Sequence, residues 1–300
     1  MALRLTSLEI KPKEVEEIDD YEHNGLMFSS ECGKMSPQIA REISSLLGLK
    51  YTPNVVKFNL AGARGILMLS NYLQKRKVQL RTGQIHFNTE RLTLEINKIS
   101  KRERAYLDKY SITLLTGLGI HPAVFQQITE GILQEYLMGG PQKENLLNHL
   151  MDEYYSGHFA KCFNRIVCSG FLERGDPLIT NLVLAFQNKF LGEIKENAKM
   201  YIQDGARAFA VMDETGSLGE NEVFFQTSTS AGLDSELNVI IGKCLIFRNS
   251  SCNPNDVMIV KAVDSPKLRS YTNVLIYSAV SSRHLLNICS HDDADENNFT

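Results

Sequence analysis

The chain has 300 residues, 43% apolar and 22% charged, with a formal net charge of -3, which is enough apolar material for two folded units. That charge excludes a protein that grips nucleic acid by bulk positive potential, so any such contact has to come from local basic patches. No CxxC pair or zinc-type spacing links the scattered cysteines (Cys32, Cys162, Cys168, Cys244, Cys252, Cys289), and no stretch is apolar enough to span a bilayer.

The start of the chain mixes charges throughout and shows no signal-peptide pattern. Together with reduced thiols, this leads us to expect a cytoplasmic or nuclear protein with no membrane contact. The triplets beginning at Asn249 and Asn298 are then chance matches to the glycosylation motif, since the secretory context is missing.

After an N-terminal segment (1–23), the region 24–100 reads as mainly β. Short β-rich runs at 55–60, 66–69, 84–88 and 92–96 are separated by turn residues such as Thr52-Pro53-Asn54 and Gly62-Ala63. One helix interrupts it: Ser36 caps, Pro37 suits the first turn, Ile39, Ala40, Ile43 and Leu47 share a face, and Gly48 closes the end.

From 101 to 201 the period becomes helical, with Val124, Ile128, Ile132 and Tyr136 spaced four apart before Gly139-Gly140-Pro141. Further helices are predicted at 142–155, 158–168 and 178–201. Strands return in 202–300, at 208–212, 222–226, 239–247, 256–263 and 273–278, with turns at Asp213-Glu214-Thr215-Gly216 and Asn253-Pro254-Asn255-Asp256. The predicted order is β, α, β in a mixed α and β protein.

The one constellation with evident chemical potential is Ser290-His291-Asp292-Asp293-Ala294-Asp295-Glu296-Asn297. Carboxylates at alternate positions converge on a hard cation through oxygen, and Mg²⁺ is the natural candidate. Taken alone, the run is weak evidence, since acidic runs at chain ends are usually solvated tails.

Around it, Arg207-Ala208-Phe209-Ala210-Val211-Met212-Asp213-Glu214-Thr215-Gly216-Ser217-Leu218 resembles the arginine-to-DETGxL stretch of the eukaryotic RNA-dependent RNA polymerases of RNA silencing. Gly242-Lys243-Cys244-Leu245-Ile246-Phe247-Arg248-Asn249 and the following residues to Val263 resemble the family's GKxLxxRNPCxxPGDxxxxxAV segment. Asp293-Ala294-Asp295-Glu296-Asn297 falls on DLDGD.

In the first β region, Cys32-Gly33-Lys34-Met35-Ser36 resembles CGxxS, and Gly62-Ala63-Arg64-Gly65-Ile66-Leu67 resembles GAKGVL. Leu80-Arg81 and Phe87 fit LRPSMxKF. The order and spacing of these short blocks carry the resemblance across most of 24–300.

The resemblance implies two double-psi β-barrel-like units joined by a helical connector, the second barrel incomplete. It also implies an RNA-directed RNA polymerase: Mg²⁺-dependent, template-directed nucleotidyl transfer in RNA-mediated gene silencing, with RNA template, nucleoside triphosphates and silencing-pathway proteins as partners. Asp293, Asp295 and Asn297 take the catalytic positions, with Asp293 and Asp295 as metal ligands. Arg64, Lys34, Lys243 and Arg207 are candidates for holding substrate or RNA, and Arg248 ranks below them. Arg64 replaces the family's lysine by a planar fork that can grip phosphate bidentately; a solvated turn arginine is the plainer alternative.

Asn297 departs from the third aspartate. Removing one negative charge about 4 Å from a dication forfeits on the order of 8 kcal/mol of gross Coulomb energy at an effective dielectric of about 20. Glu296 stands where the family has glycine, and His291-Asp292 where it has small residues. The sequence ends at Thr300, directly after the motif. These departures lead us to expect a truncated or diverged product, or a fragment, and open an alternative function: an inactive homologue that binds RNA or a partner.

Overall fold

The computed structural model describes residues 4–23, 25–27, 32–87, 89, 92–101, 103–137, 165–166, 169–171, 174–228, 237–248 and 253–280. The chain forms two compact units. One comprises Met1–Arg102, Ala206–Asn249 and Asn255–Thr300, the other Glu103–Gly205 and Ser250–Pro254.

The first unit is built on two mixed sheets. Its first sheet uses β1 (Thr6–Glu9), β2 (Val15–Ile18), β5 (Cys32–Met35), β6 (Val55–Leu60), β7 (Ala63–Leu69), β8 (Val78–Arg81) and β9 (Thr93–Ile99) in the order β1-β9-β6-β7-β5-β8-β2. β3 (Glu22–His23) and β4 (Leu26–Met27) pair only with each other. Two of the seven sheet strands thus come from the first 23 residues.

Helix α1 (Pro37–Leu46) starts as its sequence demands: the Ser36 hydroxyl accepts from the Ile39 N–H at 3.5 Å, and Pro37 fills the first turn. Gly48, at φ +62, closes it. Ile39, Ala40 and Ile43 are buried against Leu8, Val56, Phe58, Leu67 and Leu94 on one face of the sheet.

The second sheet uses β12 (Phe209–Met212), β13 (Glu222–Ser228), β14 (Leu237–Val239), β15 (Gly242–Phe247), β16 (Val257–Ala262) and β17 (Val274–Tyr277). Its path is β12-β17-β13-β16-β15, with β14 beside β13. The five-strand path β2-β8-β5-β7-β6 of the first sheet is the same path. In chain order both run first, fifth, second, fourth, third, and the pairings alternate parallel, antiparallel, parallel, antiparallel in both. No sequence repeat announces this duplication. Among the described residues neither path closes on itself, so the structure establishes a sheet-rich mixed fold and not a closed barrel.

A shared core joins the two sheets. Val55, Ile66 and Met68 of the first pack with Phe209, Val211, Phe224, Val274 and Ile276 of the second. The far face of the second sheet buries Ala210, Val223, Ile246, Val260, Leu275 and Tyr277.

The second unit holds β10 (Glu103–Leu107), α2 (Lys109–Gly117), α3 (Pro122–Leu137), α4 (Pro177–Asn197) and β11 (Met200–Arg207), whose last two residues belong to the first unit. Asp176 caps α4 by accepting from the Leu178 and Ile179 N–H groups, and Ile179, Val183, Phe186 and Phe190 form its buried stripe. The helices predicted at 142–155 and 158–168 lie almost entirely outside the described residues.

Three local expectations need correction. The helix predicted to run to 201 ends at Asn197, because Ala198 turns left-handed (φ 51) and β11 begins at Met200. The strand predicted at 84–88 is replaced by a 3-10 turn, Thr82–Gln84, and an isolated bridge at Ile85. The Gln84 amide does the ladder's work there, accepting from the Arg81 N–H at 3.0 Å and donating to the Ile66 carbonyl at 3.1 Å. The strand predicted at 239–247 splits in two, with Gly242 at φ +127 where β15 begins.

Candidate functional site

Side-chain direction alternates along a strand, and paired residues point to the same side. The Ile66/Met68 face of the first sheet packs on the second sheet. By register, the residues sharing it are Cys32 and Lys34 on β5, Arg64 on β7, Arg81 on β8, Lys57 and Asn59 on β6, and Glu95 and Lys98 on β9. Lys98 confirms the direction, its ammonium lying 5.5 Å from the Phe209 ring centroid. The opposing face of the second sheet carries Phe209, Val211, Phe224 and Ile276, and by register also Glu222, Lys261 and Lys243. Five cations on one face and two on the other therefore border the shared core.

The turn after β12 joins the sheets. Asp213 is 2% exposed, and its carboxylate accepts from the N–H groups of Thr215, Ser217 and Leu218 at 2.7 to 3.0 Å and from both hydroxyls. A carboxylate so committed shapes the turn and is not free for chemistry. The ordered turn presents Glu214 to the first sheet, where one oxygen meets Lys34 Nζ at 2.7 Å and the other Arg81 Nη2 at 2.9 Å. Arg81 is nearly saturated, donating also to the carbonyls of Asp19 (2.6 Å) and Cys32 (3.3 Å). Beside them, Tyr271 donates to the Leu69 carbonyl at 3.3 Å. Burial, with the Glu214 charge next, pushes its phenol up to about 12.

Arg64 lies at the edge of this face, exposed, with Nε 3.0 Å from His86 Nε2. Both line an open groove of ≈ 550 Å³ together with Asn59, Gly62, Phe87, Thr89, Thr93 and Glu95. The turn that carries Arg64 is pinned: a Cβ on Gly62 (φ +87) would lie 1.9 Å from the Phe87 carbonyl oxygen. Only glycine fits there.

A family model described as RNA dependent RNA polymerase matches residues 3–300. The chain belongs to the RNA-dependent RNA polymerase family. It is 31% identical over 304 residues to RNA-dependent RNA polymerase 1 of Schizosaccharomyces pombe, covering 94% of this chain and 25% of that protein. It is 28% identical over 294 residues to the probable RNA-dependent RNA polymerase 1 of Oryza sativa subsp. japonica, covering 96% of this chain and 39% of the relative. Among solved structures, the RNA dependent RNA polymerase QDE-1 from Thielavia terrestris shares the fold with a TM-score of 0.74 at 18% identity, over 98% of this chain and 36% of that one. The chain thus spans between a quarter and two fifths of the length of these family members.

Of the residues singled out from the sequence, Arg64, Lys34 and Lys243 all lie on the two facing sheet surfaces of this polymerase-family chain. Lys34 is engaged by Glu214, and Lys243 is exposed directly opposite Lys261 on β16. Arg207 ends β11, immediately ahead of β12, and is half-buried; Arg248 follows β15, its N–H donating to the Asp256 carbonyl at 3.4 Å. Asp293, Asp295 and Asn297 lie outside the described residues. Among the described residues no group of three or more His, Cys, Asp or Glu side chains could hold a metal ion, and no helix is long and apolar enough to cross a membrane. Neither Cys32 nor Cys244 is in a disulfide.

Sequence reasoning missed His86 and the joining role of Glu214. Nothing local signalled the role of Glu214, since an acidic turn residue is ordinarily solvated and its partners Lys34 and Arg81 lie far off in sequence. Nothing local signalled the Arg64–His86 contact, which depends on a bridge between Ala63 and Ile85.

Proposed function

We propose that this chain is the catalytic core of an RNA-directed RNA polymerase, performing template-directed nucleotidyl transfer in RNA-mediated gene silencing. The observation that carries the reading is the cationic face of the first sheet, in a chain matched by the family model from residue 3 to 300. On this reading the two sheets are the two double-psi barrel units of the family, which the duplicated strand path supports.

Arg64 binds the triphosphate of the incoming nucleotide, its guanidinium matching two phosphate oxygens at once. Lys57, Lys98, Lys243 and Lys261 hold the RNA backbone, which needs point charges and no base contact. Glu214 fixes Lys34 and Arg81 so that the face keeps its shape when polyanion enters.

The donor set at the C-terminal motif fits Mg²⁺, because Asp293 and Asp295 offer hard carboxylate oxygens at alternate positions and Asn297 a neutral amide oxygen. When bound, the metal supplies charge stabilisation for in-line attack of a 3′-hydroxyl on the α-phosphate, with pyrophosphate leaving.

The test is incorporation of labelled nucleotide on an RNA template with Mg²⁺. Incorporation that disappears in Asp295→Ala supports the polymerase reading. The Asn297 substitution favours a second reading, an inactive homologue that binds RNA or a partner, and activity seen only in Asn297→Asp would establish the inactivity of the native chain.

A further inference from the structure

The groove at the edge of the first sheet contains a contact that the proposed roles leave unused. Arg64 sits next to the turn of the β6–β7 hairpin, opposite Asn59. His86 reaches it from the segment after the Thr82–Gln84 turn. Two ties hold that segment against the hairpin. Ala63 bridges Ile85 through the His86 N–H, which donates to the Gly62 carbonyl at 3.1 Å, and Gly62 packs so closely on the Phe87 carbonyl that no side chain fits between. The Gln84 amide adds a third through the Ile66 carbonyl. The backbone therefore brings the two residues side by side, within reach of the observed contact.

The direction of the hydrogen bond is fixed by chemistry. An arginine Nε always carries its proton, so Arg64 donates and His86 Nε2 accepts. Because Nε is the donor used, the two terminal amino groups of the fork stay turned away from the ring. They make no hydrogen bond among the described residues. The competing carboxylate on this face, Glu95, is paired with Arg4 at 3.3 Å.

We infer that His86 is a positioning residue. It holds the Arg64 guanidinium through Nε so that Nη1 and Nη2 together meet a phosphate group, making the groove a bidentate phosphate site. The inference rests on the reading of Arg64 as the triphosphate-binding residue and adds the residue that orients it. An exposed arginine otherwise spreads over many rotamers, and restricting it beforehand lowers the entropy lost on binding.

The test is equilibrium binding of ATP and of inorganic tripolyphosphate to the full chain. Arg64→Ala should weaken both ligands. His86→Ala should weaken both by about threefold to tenfold, the range expected for one oriented hydrogen bond. His86→Gln, whose amide oxygen can accept from Nε, should restore most of the loss. In an Arg64→Lys background, where no Nε exists, His86→Ala should have no further effect. Thermal unfolding of His86→Ala checks that the chain stays folded. Wild-type binding by His86→Ala while Arg64→Ala binds poorly overturns the positioning role and leaves the Arg64 reading intact. Equal losses in His86→Gln and His86→Ala also overturn it. Wild-type binding by Arg64→Ala overturns the Arg64 reading, and the positioning role with it.

Discussion

The two sheets of the first unit follow one strand path but present different chemistry to each other. The first sheet faces the second with Lys34, Lys57, Arg64, Arg81 and Lys98 around an apolar patch. The second answers with a wider apolar surface, two lysines, and the acidic turn that follows β12. A duplicated backbone thus does not duplicate function: residues at strand ends and turns set what each copy does, while the alternating apolar positions keep the copies packed. On the proposed reading, the first sheet supplies Arg64 for the triphosphate, both sheets supply lysines for the RNA backbone, and the second leads, in sequence, to the metal-binding carboxylates.

The contrast between the sheets can be broken at its turns first. Gly62→Ala in the first sheet forces a Cβ into the Phe87 carbonyl at a left-handed φ, and we expect a loss of roughly 3–5 kcal/mol in chemical unfolding. Gly216→Ala, in the turn beside the second sheet, shares the left-handed φ (+62) but meets nothing within 4 Å. It should cost only about 1–2 kcal/mol. Equal losses would mean that close approach does not distinguish the two turns.

Asp213→Asn should come next. The amide keeps the shape but replaces one oxygen of a buried carboxylate that accepts from three backbone N–H groups, and the expected loss is roughly 2–4 kcal/mol. Glu214→Gln tests the tie between the sheets. It removes the counter-charge from Lys34 and from Arg81, whose side chain is 9% exposed. About 1–2 kcal/mol should be lost at low salt and less at about 1 M salt, since Glu214 is partly exposed.

The smallest effect is expected at Tyr271. Its folded-state pKa is raised to about 12, so folding favours the protonated phenol. The associated stability is fully present below the ordinary tyrosine pKa of about 10 and is lost as pH rises through about 12. Tyr271→Phe should cost about 1 kcal/mol at neutral pH, the bond to the Leu69 carbonyl, and should remove that part of the alkaline decline between those limits.

Much of the fold was legible wherever one residue type decides a local outcome. Ser36-Pro37 started α1 and Val55–Leu60 formed a strand, as the cap and the β-branched run required. The strands Thr6–Glu9 and Val15–Ile18 were hidden because their charged sequences gain strand character only by pairing with β9 and β8. Of the site, Arg64, Lys34 and Lys243 could be singled out from the blocks that carry the family resemblance. Their placement on facing surfaces depends on register across strands far apart in sequence, and no local pattern encodes that. The same limit explains His86 and Glu214, whose partners lie 22 residues away in one case and 133 or more in the other.

The division of labour between the sheets is tested most directly by steady-state kinetics of RNA-templated nucleotide incorporation, comparing Arg64→Ala with Asp295→Ala in the full chain. The account predicts a raised KM for nucleotide with a smaller change in kcat for Arg64→Ala, and loss of kcat for Asp295→Ala. Unchanged kinetics in either variant, or a wild-type chain that incorporates nothing until Asn297→Asp restores the third carboxylate, would contradict it.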